Sequence, residues 1–136
     1  MNTTKIKDLM TRGIISINSD DNAITASKIM IHKNIGSVLV FDGSNPVGII
    51  TERDIVKKVI TDCKNLCETR AVDLATCDLI TLGPDDAIKK ALITMYKNKI
   101  KRIPIQDPET GELVGIITTY DIIAAFNSLE LKMNLK

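Results

Sequence analysis

Aromatic side chains are nearly missing from this chain: among 136 residues there is no Trp, and only two Phe and two Tyr. So few ring faces argue against a platform for stacking single-stranded bases. Charge of one sign is also missing. The net charge is +1, which gives no global basic field to draw nucleic acid. One local basic run, KNKIKR at 97–102, has a bland reading as a solvated stretch and gives weak support to nucleic-acid binding. Binding of nucleic acid through it would collapse steeply with salt. Histidine occurs once, as His32 on the polar flank of a helix, where a surface position is expected. The three cysteines, Cys63, Cys67 and Cys77, are odd in number and read as free thiols in a linker, not a disulfide framework. Cys63-x-x-x-Cys67 lacks a second ligand pair, so no zinc site is expected. No nucleophile, base and orienting group stand together in a catalytic pattern, so no enzyme is expected. No apolar run reaches the ~18 residues of a membrane helix. The N-terminal MNTTKIKDLM has no apolar core of a signal peptide, which makes the cytoplasm the expected compartment.

What the chain does contain is a duplication. GIITERDI at 48–55 returns as GIITTYDI at 115–122. Shifted by 65 positions, residues 8–42 overlay 73–107, with identities such as Asp8/Asp73, Leu9/Leu74, Thr11/Thr76, Asp20/Asp85, Ala26/Ala91 and Met30/Met95. The offset then grows to 67 across the longer turn DPETGE, and seven of nine positions from Val47/Val114 to Ile55/Ile122 are identical. A turn is where a duplicated unit tolerates insertion. The division along the chain is thus 1–61, a polar connection at 62–70, and 71–136. With 44% hydrophobic and 26% charged residues, the composition is that of an ordinary globular domain. A chain of this length buries enough surface to be stable alone.

Each copy predicts the same order of elements. A short strand comes first, Ile14 to Ile17 and Leu79 to Leu82. The acids Asp20-Asp21 and Asp85-Asp86 follow as helix-start signals. Ala23, Ala26 and Met30, and their counterparts Ile88, Ala91 and Met95, then share one helix face. Two strands follow in each copy: Ser37 to Phe41 with Val47 to Ile50, and Arg102 to Ile105 with Leu113 to Ile117, joined by DGSNP and DPETGE. A second helix begins after Thr51 or Thr118. The last helix carries Ile122, Ile123, Phe126, Leu129 and Met133 on one broad side, more than a small half needs to cover, which points to packing on the other half or on another subunit.

This α+β order, βαββα twice, each copy ending in Gly-h-h-Thr-x-x-Asp (h, apolar), resembles the cystathionine-β-synthase (CBS) domain family. Two such repeats form a Bateman module. The resemblance covers about residues 5–126 and leaves no segment for an attached enzyme or channel. It implies two repeats packed with pseudo-twofold symmetry around two clefts. It also implies bound adenosine-containing effectors (AMP, ADP, ATP, S-adenosylmethionine or NAD), a homodimer, and an unidentified protein regulated by ligand occupancy. No catalytic cofactor, metal, membrane or nucleic acid is implied.

The same residues admit two compatible readings. Thr51 with Asp54, and Thr118 with Asp121, form a helix-capping pair on spacing alone. By resemblance, Asp54 and Asp121 accept hydrogen bonds from ribose hydroxyls, which suits an acceptor-only carboxylate, and Thr51 and Thr118 lie beside the phosphates. The resemblance further implies that Lys101, Arg102, Ile80 and Thr81 serve the cleft of Thr51 and Asp54. Gly36, Ser37, Ile15 and Ser16 would then serve that of Thr118 and Asp121. The cations make the Asp54 cleft the expected stronger site for a phosphorylated ligand. Arg53 and Tyr120 share one motif slot and read as solvated helix positions. The alternatives are an interaction or dimerisation module with empty clefts, and a nucleic-acid-binding member of the family.

Overall fold

Two short hairpins with continuous apolar stretches organise the protein, and each is sealed by helices laid on one face. The computed structural model describes the backbone of residues 4–134 and the side chains of residues 4–128. In chain order the elements are α1 (Ile6–Leu9), β1 (Thr11–Arg12), β2 (Ser16–Asn18), α2 (Ala23–Lys33), β3 (Ser37–Asp42), β4 (Asn45–Thr51), α3 (Glu52–Asp54), a π-helix (Ile55–Ile60), α4 (Ala71–Leu74), α5 (Ile88–Asn98), β5 (Arg102–Gln106), β6 (Leu113–Thr118) and α6 (Thr119–Asn134). They fall into two compact units. One is Ile15–Leu79; the other joins the segment ending at Ile14 to the chain from Ile80 onward.

In the Ile15–Leu79 unit the sheet order is β2-β3-β4, with β2 parallel and β4 antiparallel to β3. Ala23, Ala26 and Met30 turn one face of α2 onto Val38, Val40 and Ile50, all of them buried. Each fully buried Val or Ile side chain contributes about 1.5–3 kcal/mol, and each alanine methyl less. The helix starts where Asn22 accepts a hydrogen bond from Thr25 N and ends at Asn34 in a left-handed conformation. Asp21, expected to start the helix, instead accepts from Asn18 N at 2.9 Å and closes the turn before it. α4 adds Ala71 and Leu74 to the same core.

The other unit repeats this plan with sheet order β1-β6-β5. Ile88, Ala91 and Met95 on α5 cover Ile103, Ile105 and Ile117, α1 supplies Ile6, and Met10 follows from just past its end. Asp86 accepts from Gly83 N at 2.8 Å, the counterpart of the Asp21 turn. The strand expected at Leu79 to Leu82 is reduced to one bridge, Leu82 to Ile105. The cause is Pro104. In the first copy Leu39 N donates to Ile15 O. Pro104 stands in the Leu39 slot and has no N–H to offer Ile80. The strand expected at Ile14 to Ile17 lies slightly later, at Ser16–Asn18.

Both units contain a short leading segment that sequence periodicity did not reveal. Thr11 and Arg12 pair with Ile116 and Gly115, and Thr76 pairs with Ile49. The segment before each repeat therefore packs on the sheet of the other repeat. This explains the glycine of the duplicated motif. A Cβ on Gly115 would stand 2.5 Å from Thr11 O, and one on Gly48 would stand 2.8 Å from both Ala75 Cβ and Thr76 O.

The Ile122 side chain is buried, while Ile123 and Phe126 on α6 are exposed. Leu129 and Met133, expected on the same side, lie outside the described side chains. Among the described residues no helix is long and apolar enough to cross a membrane.

Candidate functional site

The strand-to-helix corner that ends each repeat brings a threonine and an aspartate together. At the first corner β4 delivers Thr51 in extended conformation, and α3 begins at once. Thr51 Oγ1 accepts from Asp54 N at 3.3 Å, and Asp54 Oδ2 accepts from Thr51 N at 2.8 Å and from Thr51 Oγ1 at 3.1 Å. This is a reciprocal cap, as the spacing predicted. Asp54 is one of the two buried polar side chains of the described residues. Its other oxygen, Oδ1, lies 3.3 Å from Lys58 Nζ, and that ammonium also donates to Leu74 O at 2.7 Å.

The second corner repeats the cap. Asp121 Oδ2 accepts from Thr118 N at 3.0 Å, and Thr118 Oγ1 accepts from Asp121 N at 3.1 Å. Here the second carboxylate oxygen has a neutral partner: Asp121 Oδ1 accepts from Thr11 Oγ1 at 3.1 Å.

The remaining expected residues fall beside these corners. Ser37 is the register partner of Thr51, and Gly36 O accepts from Glu52 N at 3.2 Å. Ile15 O and Ser16 meet Leu39. Arg102 is the register partner of Thr118, and Lys101 O accepts from Thr119 N at 2.9 Å. Thr81 Oγ1 donates to Gln106 Oε1 at 3.3 Å, and Ile80 is half-buried. Thus Thr51, Asp54, Gly36, Ser37, Ile15 and Ser16 share one compact unit. Thr118, Asp121, Lys101, Arg102, Ile80 and Thr81 share the other. The grouping implied by resemblance drew each set from both units. Lys101, Arg53, Tyr120 and His32 are exposed, and so are the three cysteines, which are free thiols.

Two neighbours of the carboxylates were missed. Lys58 had a legible signal, an acid and a base four residues apart on one helix. Thr11 had none, because its partner lies 110 residues away.

Chemically, each corner offers a fixed carboxylate with acceptor capacity beyond its cap, beside a threonine hydroxyl at the start of a helix. Such a site suits a ligand carrying hydroxyl donors. Among the described residues, no group of three or more His, Cys, Asp or Glu side chains could hold a metal ion.

Known proteins resemble this chain in sequence and fold. The family model described as CBS domain matches residues 6–61 and again 71–128. A protein of Methanopyrus kandleri is 34% identical over 124 residues; the match covers 90% of this chain but 63% of that protein. A conserved protein from Pyrococcus horikoshii superimposes with a TM-score of 0.85 at 28% identity, covering 92% of this chain and 93% of that one. The CBS domain pair of protein MJ0100, crystallised with 5-methylthioadenosine and S-adenosyl-L-methionine, is 31% identical with a TM-score of 0.79, covering 93% of this chain and 98% of that one.

Proposed function

Because this chain belongs to the CBS-domain family and carries two of its repeats, we propose that it is a regulatory module sensing an adenosine-containing ligand such as AMP, ADP, ATP, S-adenosylmethionine or NAD. The carrying observation is the repeated carboxylate. Asp54 and Asp121 are each pinned by a helix cap yet keep acceptor capacity for ribose hydroxyls. The MJ0100 pair, with its two adenosyl compounds, supports the same ligand class. In this reading Thr51 and Thr118 stand beside the ligand's phosphates, and the Asp54 end takes the phosphorylated ligand. The module has no catalytic step. Ligand favours one of its arrangements and so changes the activity of a partner protein, by population shift. A homodimer in the cytoplasm is part of this proposal.

Calorimetric titration with the five ligands tests it, on the unmodified protein and on Asp54→Ala and Asp121→Ala. Micromolar binding of one ligand, lost in an aspartate variant that still folds, is the expected result. No heat with any ligand favours the alternative of an interaction module, with Thr51 and Asp54 serving only as a cap.

A further inference from the structure

The two carboxylates differ in how many hydrogen-bond directions they have left. An ionised carboxylate presents about four lone-pair directions. At Asp54, Oδ2 receives both the amide and the hydroxyl of Thr51, and Oδ1 faces the Lys58 ammonium at 3.3 Å. One direction is left for a vicinal diol that needs two. At Asp121, Oδ2 receives the Thr118 amide and Oδ1 the Thr11 hydroxyl. Each oxygen keeps one direction, so two neighbouring hydroxyls can dock side by side.

Resting on the ribose reading above, we propose that Lys58 sets the ligand selectivity of the Asp54 end. A neutral nucleoside binding there must move an ammonium off a carboxylate, exchanging an ion pair charged on both sides for hydroxyl contacts charged only on the carboxylate, and leaving the ammonium without its anion. A phosphorylated ligand brings its own anion for that ammonium. Lysine has three donors; Leu74 O takes one at 2.7 Å, and the side chain is 34% exposed, so the head can turn toward an incoming phosphate. The Asp54 end therefore takes a vicinal diol only when an anion accompanies it. The Asp121 end, whose second oxygen holds a neutral hydroxyl, takes the diol of an uncharged nucleoside. The slot equivalent to Lys58 at that end is Ala125, which cannot play this part.

The test titrates the full chain calorimetrically with AMP, adenosine and 2′-deoxyadenosine, using Asp121→Asn to isolate the Asp54 end. In that variant AMP binds and adenosine binds many-fold more weakly. Adding Lys58→Met tightens adenosine several-fold and weakens AMP, while 2′-deoxyadenosine gains nothing; adding Lys58→Arg restores the preference for AMP. Thermal unfolding checks each variant, and Lys58→Gln replaces Lys58→Met if the latter does not fold. An AMP-to-adenosine ratio unchanged by loss of the ammonium, or an equal shift for all three ligands, overturns the proposal. Binding to the unmodified protein without any Lys58 effect sinks this inference alone. No heat from AMP or adenosine on the unmodified protein sinks the ribose reading, and the inference with it.

Discussion

At Asp54 a carboxylate is held between its own helix start and a lysine one turn further along. At Asp121 the same carboxylate is held between its helix start and a threonine from the far end of the chain. The cap is common to both corners because it follows from a four-residue spacing. The second contact differs because it depends on what else the fold delivers. Duplication thus preserved the local chemistry of the corner, and divergence acted on the oxygen the cap leaves over. A ligand that uses only the cap's surroundings would see two equal corners. One that needs both carboxylate oxygens would not.

The equality of the two frames can be tested most strongly in the cores. Ile50 and Ile117 are counterparts, each fully buried under a helix. Ile50→Ala and Ile117→Ala should each cost about 2–5 kcal/mol, and urea denaturation should give similar values for the pair. A cost near zero at either position would mean that the unit is not packed as described.

A smaller effect is expected where the leading segments touch the sheets. Gly115→Ala and Gly48→Ala each push a Cβ into backbone at or under 2.8 Å, for about 1–3 kcal/mol. The closer approach at Gly115 makes its variant the costlier. It should also shift Thr11, and with it the hydroxyl on Asp121, so that the two corners come to differ further. Equal stabilities of the two variants and the unmodified protein would refute the close approach.

The parts of this molecule that could be read in advance are those set by neighbours in sequence. The hairpins, the apolar faces of α2 and α5, and the Thr-x-x-Asp caps all follow from residues within a turn or a strand of one another. The identities Asp8/Asp73, Leu9/Leu74 and Thr11/Thr76 marked the leading segments as part of the repeat, but four-residue helices carry too little periodicity to be recognised, and nothing local tells that Thr11 pairs with Ile116. Pro104 was visible, yet its effect on the strand at Leu82 required knowing that Leu39, its counterpart, donates to Ile15. The second helix of the first copy was expected after Thr51; a π-helix over Ile55–Ile60 was not, since such winding has no distinct apolar period.

Removing charge without removing the cap separates the corners more finely. An asparagine oxygen can still accept the Thr118 amide from the third position of the capping box, so Asp121→Asn should cost only about a few tenths of a kcal/mol, the value of a negative charge at an exposed helix start. Asp54→Asn keeps the cap but strips Lys58 of its ionic partner in a largely covered place, where the carboxylate is 11% exposed. A cost of about 1 kcal/mol or somewhat more is expected there. Thermal unfolding of the two variants side by side decides it; the reverse order would mean that the Lys58 contact contributes nothing.

The smallest difference lies at the surface, where each leading segment is tied to the acid before the neighbouring helix. Lys5 and Arg70 are counterparts, as are Asp85 and Asp20. Lys5 lies 3.6 Å from Asp85, and Arg70 3.7 Å from Asp20. Only one unit adds Lys7, at 2.9 Å from Asp85; its counterpart is Val72. The hydrogen bond and charge of Lys7 hold the Asp85 carboxyl below its ordinary value, and those of Asp85 hold the Lys7 ammonium above its own. A lowered carboxyl stabilises the fold above its unfolded-state value, and that contribution fades as the pH falls through the lower folded-state value. A raised ammonium stabilises the fold fully below its unfolded-state value, and the contribution is lost as the pH rises through the higher folded-state one. Both groups are exposed and screened by salt, so the effect is small and largest at low ionic strength. Asp85→Asn should flatten the acid limb of the stability profile below about pH 4 and the alkaline limb above the ordinary lysine range, and should do much less in a Lys7→Met background. Equal flattening in the two backgrounds would show that Lys7 adds nothing to the pair it joins, and that the two leading segments are tied down alike.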